Sequence, residues 1–226
     1  MTPRRATVDV MAELLELDGR DVVDVGCGDG ALMRRLAGLG ARVTGVEVDP
    51  AVVAAAQARE PVAGERYVHG TGQDLGLESD SADLVVFMQS LHHVPPESMD
   101  AALGEAARVV RPGGAVYVQE PLPEGEFFAV VKLVDDETEV RALAQRALAR
   151  ASANGLELAR ELRFDVPVSL HSFDAFRGRI VGADPSRAGR FERLEPQLRV
   201  RYDALAGPDG SASVTIPSVA ALLYRR

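Results

Sequence analysis

The sequence predicts an α/β fold in which a mostly parallel sheet of seven strands is covered by helices on both faces. Short valine-rich runs alternate with helical patterns up to about Pro121, as expected where helices connect parallel strands. The runs are apolar almost throughout, which is typical of strands buried on both faces. With 226 residues, 46% of them hydrophobic, the chain is long enough to bury a sizeable core.

The first half of the chain carries the clearest alternation. Strands are predicted at residues 21–25, 42–48, 66–68, 83–88 and 115–120, and helices at 31–39, 51–59 and 96–110. Asp49 precedes Pro50, which predicts that the Asp49 carboxylate caps the second helix. Pro112-Gly113-Gly114 predicts a turn into the fifth strand.

The second half has longer helical patterns and fewer strands. Helices are predicted at residues 137–153, 173–180 and 191–205, and strands at 162–168 and 218–224. Phe127-Phe128 is compatible with a lid over an apolar ligand and also with a place in the core. Neither an internal repeat nor a linker divides the chain, so we predict a single domain over residues 1–226.

Composition excludes several classes of protein. The net charge is -9, which disfavours nucleic acid as a partner because a polyphosphate is repelled. No apolar run reaches the roughly 18 residues that span a bilayer, and no secretory leader precedes the first strand. We therefore expect a cytoplasmic protein without a membrane partner. Cys27 is the single cysteine, and no Cys/His or acidic cluster has metal-ligand spacing, so we predict no disulfide and no metal.

The glycine-rich stretch that follows the first strand is the most informative motif. Its sequence is Asp24-Val25-Gly26-Cys27-Gly28-Asp29-Gly30, and three glycines there allow the backbone to turn sharply and approach a ligand. The spacing also satisfies a permissive dinucleotide fingerprint, and a tight turn without a ligand is a further alternative. Asp24 and Asp29 would repel a pyrophosphate but attract a cation. The acidic residues thus favour a positively charged ligand.

Glu47 ends the second predicted strand, about twenty residues after the glycines. A parallel neighbouring strand would place its carboxylate beside a ribose, where it can accept hydrogen bonds from two vicinal hydroxyls. An acidic residue at a strand end can instead cap a helix, but Asp49 is better placed for that role. Glu47 is therefore predicted to be available to a ligand.

Five segments taken together resemble the class I S-adenosylmethionine-dependent methyltransferases that act on metabolites. They are VVDVGCGDG, VTGVEVDP, GTGQDL, DLVVFMQSLHHV and VVRPGGAVYV, between about Val22 and Val118. The resemblance implies a Rossmann-like, doubly wound sheet with an antiparallel last strand. It also implies S-adenosyl-L-methionine as cofactor, S-adenosyl-L-homocysteine as product and a small-molecule acceptor. Residues 1–121 would then be the cofactor-binding half and residues 122–226 the substrate-side half.

The resemblance assigns cofactor-binding roles to residues at the ends of the first four strands. The methionine end would be held by Asp24, Gly26 and Gly28, and the ribose would be held by Glu47. Val48 would lie on the adenine face, and Gly72 and Gln73 would lie at the adenine edge. Gln89 would lie near the cofactor amino group. Cys27 completes the cofactor-binding set, as a small residue suited to a crowded turn rather than as a nucleophile. The family often has an acidic residue where Thr71 stands; Gln73 or Asp74 could substitute for it in contacting the adenine amino group.

Three residues are candidates for catalysis. His92 and His93 follow the fourth strand at the carboxyl edge of the sheet, and Glu120 ends the fifth strand at the same edge. A histidine can serve as general base towards an acceptor hydroxyl near neutral pH. Each histidine is equally compatible with a capping role, and Glu120 with that of a hydrogen-bonded loop acid. Methylation of oxygen or nitrogen is expected in preference to carbon.

Three other functions stay open. The chain could be another transferase of the same cofactor fold, or a protein that binds S-adenosylmethionine without catalysis. A nicotinamide-dependent oxidoreductase is disfavoured by Asp24 and Asp29. The identity of the acceptor and the oligomeric state are not predicted.

Overall fold

The structure is a computed structural model that describes residues 2–59, 61 and 64–226. Tertiary contacts divide the chain into two compact units. The glycine-loop unit comprises Val10–Glu120, Leu143–Leu162 and Val219–Arg226, and the aromatic unit comprises the segment up to Asp9, Pro121–Ala142 and Arg163–Ser218. The single-domain organisation stays a prediction.

Strands and helices alternate along the first half of the described chain. The strands are β1 (Asp21–Val25), β2 (Arg42–Glu47), β3 (Arg66–His69), β4 (Ala82–Met88), β5 (Val110–Pro121), β6 (Leu156–Leu170) and β7 (Ala212–Arg225). The helices are α1 (Thr7–Leu14), α2 (Ala31–Gly38), α3 (Pro50–Gln57), α4 (Met99–Val109), α5 (Glu126–Val131), α6 (Thr138–Ala149), α7 (Phe173–Ala183) and α8 (Ala188–Asp203). Short 3-10 turns cover Leu91–His93, Pro96–Ser98, Ala151–Asn154 and Pro185–Arg187.

The strands form one seven-stranded sheet in the order β3-β2-β1-β4-β5-β7-β6. β1 pairs in parallel with β2 on one side and β4 on the other, so that Val23 lies opposite both Thr44 and Val85. β7 is antiparallel, and helices cover both faces of the sheet. These features confirm the predicted Rossmann-like fold class.

The core of the glycine-loop unit lies between the strands and the helices that cover them. Val25, Phe87 and Leu103 are almost completely buried, as are Ala144 and Leu223. β1, β2 and β4 are rich in apolar residues and are buried along most of their length, because both faces of these central strands are covered. The core holds the carboxyl ends of β1, β2 and β4 in fixed register.

The aromatic unit has its own core of packed rings. Neighbouring ring centroids lie 5.5–6.2 Å apart in a cluster formed by Phe127, Phe173, Phe176, Phe191 and Tyr202. Aromatic pairs at these separations gain favourable edge and tilted contacts in addition to burial. Phe127 is therefore a core residue, and Phe128 is also buried.

Several element boundaries differ from the prediction. α1 and α5 were not predicted, and β6 begins six residues before the predicted strand. The first part of β6 is exposed and charged because β6 is the edge strand of the sheet, so its sequence lacks the apolar pattern of a buried strand. In the described part of the chain, no helix is both long and apolar enough to cross a bilayer.

The predicted turn at Pro112–Gly114 is an irregularity inside β5. Val110 lies opposite Ala82 and Ala115 lies opposite Leu84, so the segment between Val110 and Ala115 faces a single intervening residue of β4. Gly113 has a φ of 76°, which suits glycine. The Asp49 cap is confirmed, since its carboxylate accepts a hydrogen bond from the Ala51 amide at 2.8 Å.

Candidate functional site

The candidate site lies at the carboxyl edge of the sheet, where β1 and β4 run side by side. The chain leaves β1 towards β2 on one side and returns as β4 on the other, which is the point where ligands bind in open α/β sheets. The glycine loop follows β1, and Glu47 ends β2. Gln89 follows β4, and Glu120 lies next to the last residue of β5.

The three glycines of the loop have left-handed backbone conformations, but their surroundings differ. Gly26, Gly28 and Gly30 have φ values of 75°, 52° and 77°. A Cβ atom on Gly26 would lie 2.7 Å from Ser90 Cβ, and one on Gly30 would lie 2.8 Å from Tyr67 Cζ. A Cβ atom on Gly28 would meet nothing within 4 Å. Gly26 and Gly30 are thus required by packing, whereas Gly28 borders open space that a ligand can enter.

Cys27 packs inward against β2. A Cβ atom on Gly45 would lie 2.6 Å from the Cys27 sulfur, so the glycine makes room for the thiol. Burial raises the pKa of the Cys27 thiol to about 12, and the nearby carboxylates of Asp24 and Glu47 add to the effect. Cys27 is therefore a neutral packing residue, in agreement with the expectation that it is not a nucleophile.

Asp24 is a buried carboxyl group at the centre of the candidate site. It is 2% exposed, and no ion pair among the described residues involves it. Burial first, and the negative charge of Glu47 second, raise the pKa of Asp24 to about 7. A positively charged ligand would relieve both effects, because it would supply the missing countercharge.

Glu47 is held by backbone amides rather than by a basic side chain. Its carboxylate accepts hydrogen bonds from the amides of Gly28 at 2.9 Å, Val48 at 2.9 Å and Asp49 at 3.1 Å. A carboxylate has about four acceptor positions, so a ribose diol would share or displace one of these donors. Glu47 is thus less available than the sequence predicted. Val48 beside it is 60% exposed, as an apolar surface for an adenine ring requires.

The role assigned to Asp29 in the sequence analysis is not supported. Its carboxylate pairs with the Arg59 guanidinium at 3.0 Å and lies 3.8 Å from that of Arg34. The hydrogen bond from Arg59 holds the pKa of Asp29 below its usual value. Because these cations balance its charge, Asp29 adds little repulsion towards a phosphate. The electrostatic preference for a cation depends instead on Asp24 and Glu47.

The segment after β3 forms a tight turn. The amide of Thr71 donates to the Asp74 carbonyl at 2.9 Å, and the reverse bond is 3.2 Å. A Cβ atom on Gly72 would lie 2.9 Å from a Val94 methyl group, so Gly72 is required by packing against Val94. The Gln73 side chain is exposed, which leaves its amide accessible to a ligand.

Gln89 ends β4 in an unusual conformation. Its φ is 56°, in the left-handed region that non-glycine residues rarely adopt. The Gln89 amide donates to the Gln119 carbonyl at 2.7 Å, which holds this turn against β5. Strained backbone of this kind persists where the surrounding structure holds it and is frequent at ligand sites.

His92 and Glu120 form a buried pair. Nδ1 of His92 is hydrogen-bonded to Oε2 of Glu120, and the other Glu120 oxygen accepts from the Leu91 amide at 2.9 Å. His92 is 5% exposed and Glu120 is fully buried. Both carboxylate oxygens of Glu120 are engaged by protein groups, so Glu120 orients His92 rather than facing a ligand.

His93 lies on the outside of the same turn. Its ring stacks on His92 with centroids 4.1 Å apart and planes tilted by 40°. His93 is exposed, and its amide donates to the Ser90 carbonyl at 3.2 Å. The structure thus brings His92 and Glu120 into contact and places His93 beside them at the surface.

Two residues that sequence reasoning missed help to build the site. The Ser90 hydroxyl donates to the Val25 carbonyl at 2.5 Å and ties the end of β4 to the glycine loop. Tyr67 packs on Gly30 at the start of α2. Ser90 stands next to the predicted Gln89 and could have been found by its position after β4, but no local signal marks Tyr67.

Comparison with known sequences identifies a domain that covers the candidate site up to Val118. Residues 23–118 match a family model described as a methyltransferase domain. The ubiquinone biosynthesis O-methyltransferase of Pseudomonas syringae pv. tomato is 36% identical over 129 residues, which are 55% of each chain. The corresponding protein of Xanthomonas oryzae pv. oryzae is 35% identical over 114 residues, 49% of this chain and 47% of its own. The chain thus spans about half the length of the curated relatives it matches.

Solved structures share the fold over nearly the whole chain. The YcgJ protein from Bacillus subtilis is similar with a TM-score of 0.64 and 18% identity, covering 97% of both chains. The cyclase SpnF has a TM-score of 0.64 and 22% identity, covering 96% of this chain and 78% of its own. At these identities the similarity establishes the fold alone.

Proposed function

We propose that this chain, whose residues 23–118 match a methyltransferase-domain model, is a class I S-adenosylmethionine-dependent methyltransferase that transfers a methyl group to a small-molecule acceptor. Oxygen or nitrogen is the expected target atom. The observation that carries the proposal is the Asp24 carboxyl group, buried without a countercharge beside Glu47. A cationic amino acid satisfies this site and a pyrophosphate does not.

The residues present fit this cofactor. Asp24 would balance the positive charge of the methionine end, with Gly26, Cys27 and Gly28 forming the surrounding loop. Gly28 leaves room beside the backbone for a ligand to approach. Glu47 would accept hydrogen bonds from the ribose after giving up part of its bond to the Gly28 amide.

The adenine end would be held by residues that follow β2 and β3. The exposed side chain of Val48 supplies an apolar face. Gln73 offers an exposed amide from the turn that also contains Gly72. Gln89, in its left-handed turn after β4, would direct its backbone carbonyl to the cofactor amino group instead.

When bound, the cofactor would supply an activated methyl group for transfer to the acceptor. The protein contributes position and a base. Because Glu120 accepts the Nδ1 proton of His92, the Nε2 atom of His92 keeps its lone pair and can take the acceptor proton. Glu120 is then a positioning residue. His93 borders the same turn and would contact the acceptor or shield His92.

Calorimetry tests the cofactor assignment. S-adenosylhomocysteine should bind the wild-type protein, and NAD should produce no heat because Asp24 and Glu47 repel its phosphates. Incubation of the protein with S-adenosylmethionine and candidate acceptors should then give products heavier by one methylene group. Binding of NAD in place of S-adenosylhomocysteine would refute the proposal.

The base assignment needs its own test. Replacing His92 with Ala should lower kcat by about 10²- to 10⁴-fold, as for loss of a general base, whereas His93→Ala should act mainly on the KM for the acceptor. Full activity in both variants would exclude a catalytic role for either histidine.

The second candidate function is a cofactor-binding protein or transferase of the same fold that makes no methylated product. The similarity to SpnF supports this second candidate, because SpnF has the same fold and is named as a cyclase rather than as a methyltransferase. Cofactor binding without a mass gain in any acceptor would favour this alternative. The cytoplasmic location and the exclusion of nucleic acid stay predictions from composition.

A further inference from the structure

His69, the last residue of β3, lies beside the residues that the proposed function assigns to the nucleoside end of the cofactor. Its Cα atom pairs with that of Glu47 in the parallel ladder between β2 and β3, so the two side chains start on the same face of the sheet. The Gly70 amide donates to the Glu47 carbonyl at 3.0 Å, which continues the ladder past His69. The imidazole therefore starts next to the residue whose carboxylate is proposed to bind the ribose.

The ring of His69 makes one side-chain hydrogen bond within the described part of the chain. Its Nε2 atom lies 3.1 Å from the carbonyl oxygen of Val48. A carbonyl oxygen accepts hydrogen bonds and cannot donate them, so Nε2 must carry the proton that the two atoms share. In a neutral imidazole the other nitrogen then has no proton, and Nδ1 is an acceptor. The contact with Val48 thus sets the polarity of the second ring nitrogen.

That second nitrogen borders an apolar surface. His69 is exposed, and Nδ1 has no hydrogen-bond partner among the described residues. The Val48 side chain, which is 60% exposed, offers the apolar surface that is assigned to the adenine ring. Both residues belong to the glycine-loop unit. A flat heterocycle with an amino group would find an apolar contact and a hydrogen-bond acceptor there.

The other polar groups assigned to this edge have no fixed polarity or are already bonded. Gln73 presents an exposed amide, which contains a donor and an acceptor and can rotate to offer either one to a ligand. The amide and the carbonyl of Thr71 both bond to Asp74. A ring nitrogen that accepts and cannot donate favours an amino group on the base over a hydrogen or an oxygen at the same position.

We propose that His69 is a specificity residue for the adenine base, accepting a hydrogen bond from its exocyclic amino group at Nδ1 while Nε2 holds the Val48 carbonyl. The inference rests on the proposed function, because it concerns the nucleoside end of the same cofactor. His69 would then act in two ways, as a recognition group and as a positioning residue for Val48. A purine without the amino group would leave Nδ1 without its partner.

Calorimetry with S-adenosylhomocysteine and its 6-deamino analogue, in which hydrogen replaces the amino group, tests the contact. The wild-type protein should bind the analogue about three- to tenfold more weakly, the loss expected for one hydrogen bond. His69→Phe keeps a flat ring without either nitrogen and should bind the two compounds with equal affinity. Gln73→Ala is the matched control from the same edge and should keep the wild-type ratio. A ratio near one in the wild-type protein, or an unchanged ratio in His69→Phe, would overturn the proposal.

Ring ¹⁵N spectra of the full chain at pH 8 provide a measurement that does not depend on affinity. The His69 signals are assigned by their absence from His69→Phe. The ligand-free protein should carry the His69 proton on Nε2, as the bond to Val48 requires. S-adenosylhomocysteine should move the Nδ1 signal, whereas the 6-deamino analogue should leave it in place. A proton on Nδ1 in the ligand-free protein, or equal shifts with the two compounds, would contradict the assignment.

This inference and the proposed function can fail separately. If S-adenosylhomocysteine does not bind the wild-type protein, the proposed function fails and the adenine contact fails with it. If S-adenosylhomocysteine binds but the protein does not distinguish it from the 6-deamino analogue, the cofactor assignment stands and His69 only links β3 to β2. A purely structural role predicts equal losses for both compounds in His69→Phe, so that the wild-type ratio would persist.

Discussion

Cofactor affinity should depend on pH through Asp24. The pKa of Asp24 is about 7 in the ligand-free protein, and a cationic cofactor favours its ionised form. At pH 6 about one-tenth of the protein then has Asp24 ionised, so the apparent affinity for S-adenosylmethionine should be about tenfold weaker at pH 6 than at pH 8. Binding at pH 6 should also release close to one proton per site.

Isothermal titration calorimetry in two buffers of different ionisation enthalpy measures both quantities. Asp24→Asn should bind more weakly at pH 8 and show no pH dependence and no proton release. Glu47→Gln should shift the midpoint to lower pH, because the charge of Glu47 is the second cause of the raised pKa. An affinity of the wild-type protein that is constant between pH 6 and 8 would refute the reasoning, as would an unchanged slope in Asp24→Asn.

The same group affects stability without cofactor. The folded protein retains the Asp24 proton up to about pH 7, whereas an unfolded carboxyl releases it near 3.8. The free energy of unfolding should therefore fall as the pH rises between these values, by up to about 4 kcal/mol from this residue. Asp24→Asn should remove this decrease in urea titrations. A decrease of equal size in the variant would assign it to other groups.

Three further substitutions test how the site is built. Gly30→Ala should lower the free energy of unfolding by about 1–3 kcal/mol, because the methyl group would overlap the Tyr67 ring at a left-handed φ; chemical denaturation measures this, and wild-type stability would contradict it. Gly28→Ala should lower the free energy of unfolding by only about 1 kcal/mol. It should lower the free energy of S-adenosylhomocysteine binding by more than this, since its Cβ atom enters the open space beside the loop. A larger loss of stability than of binding, measured by calorimetry, would show that Gly28 serves packing alone. Glu120→Gln should lower kcat without changing the KM for S-adenosylmethionine, because it replaces the carboxylate that is hydrogen-bonded to Nδ1 of His92; an unchanged kcat would limit Glu120 to a structural role.

The central strands were predictable because the apolar pattern within each segment is enough to identify a buried strand. The predicted bounds of β1 agree with the structure, since Asp21–Val25 is a buried parallel strand with apolar residues on both faces. β6 was predicted too short because its charged first part lies at the sheet edge, where burial does not select apolar residues. The pattern within a segment does not indicate which strand will occupy an edge.

The position of the glycine loop at the end of β1 was predictable, but the partners of the predicted site residues were not. The glycine loop marks the end of β1 in the sequence, yet the Tyr67 ring that requires Gly30 comes from β3. The sequence suggested that the Asp29 carboxylate acts on a ligand, but in the structure it pairs with Arg59, thirty residues away. Such pairings depend on tertiary structure, and a single sequence carries no local signal for them. The site residues stay predictions until a ligand is measured.

The pairing of Glu120 with His92 has a consequence for how the acceptor preference of such a chain can change through substitution. Among the described hydrogen bonds, those that orient His92 come from residues before Pro121: Glu120 bonds to its ring, and the Leu91 amide bonds to Glu120. Under the proposed function, substitutions or insertions after Pro121 would change which compound is accepted while the hydrogen bond between His92 and Glu120 is kept. A chimaera that joins residues 1–120 to the later segments of a relative should inherit new acceptor preferences without having to rebuild its proton acceptor.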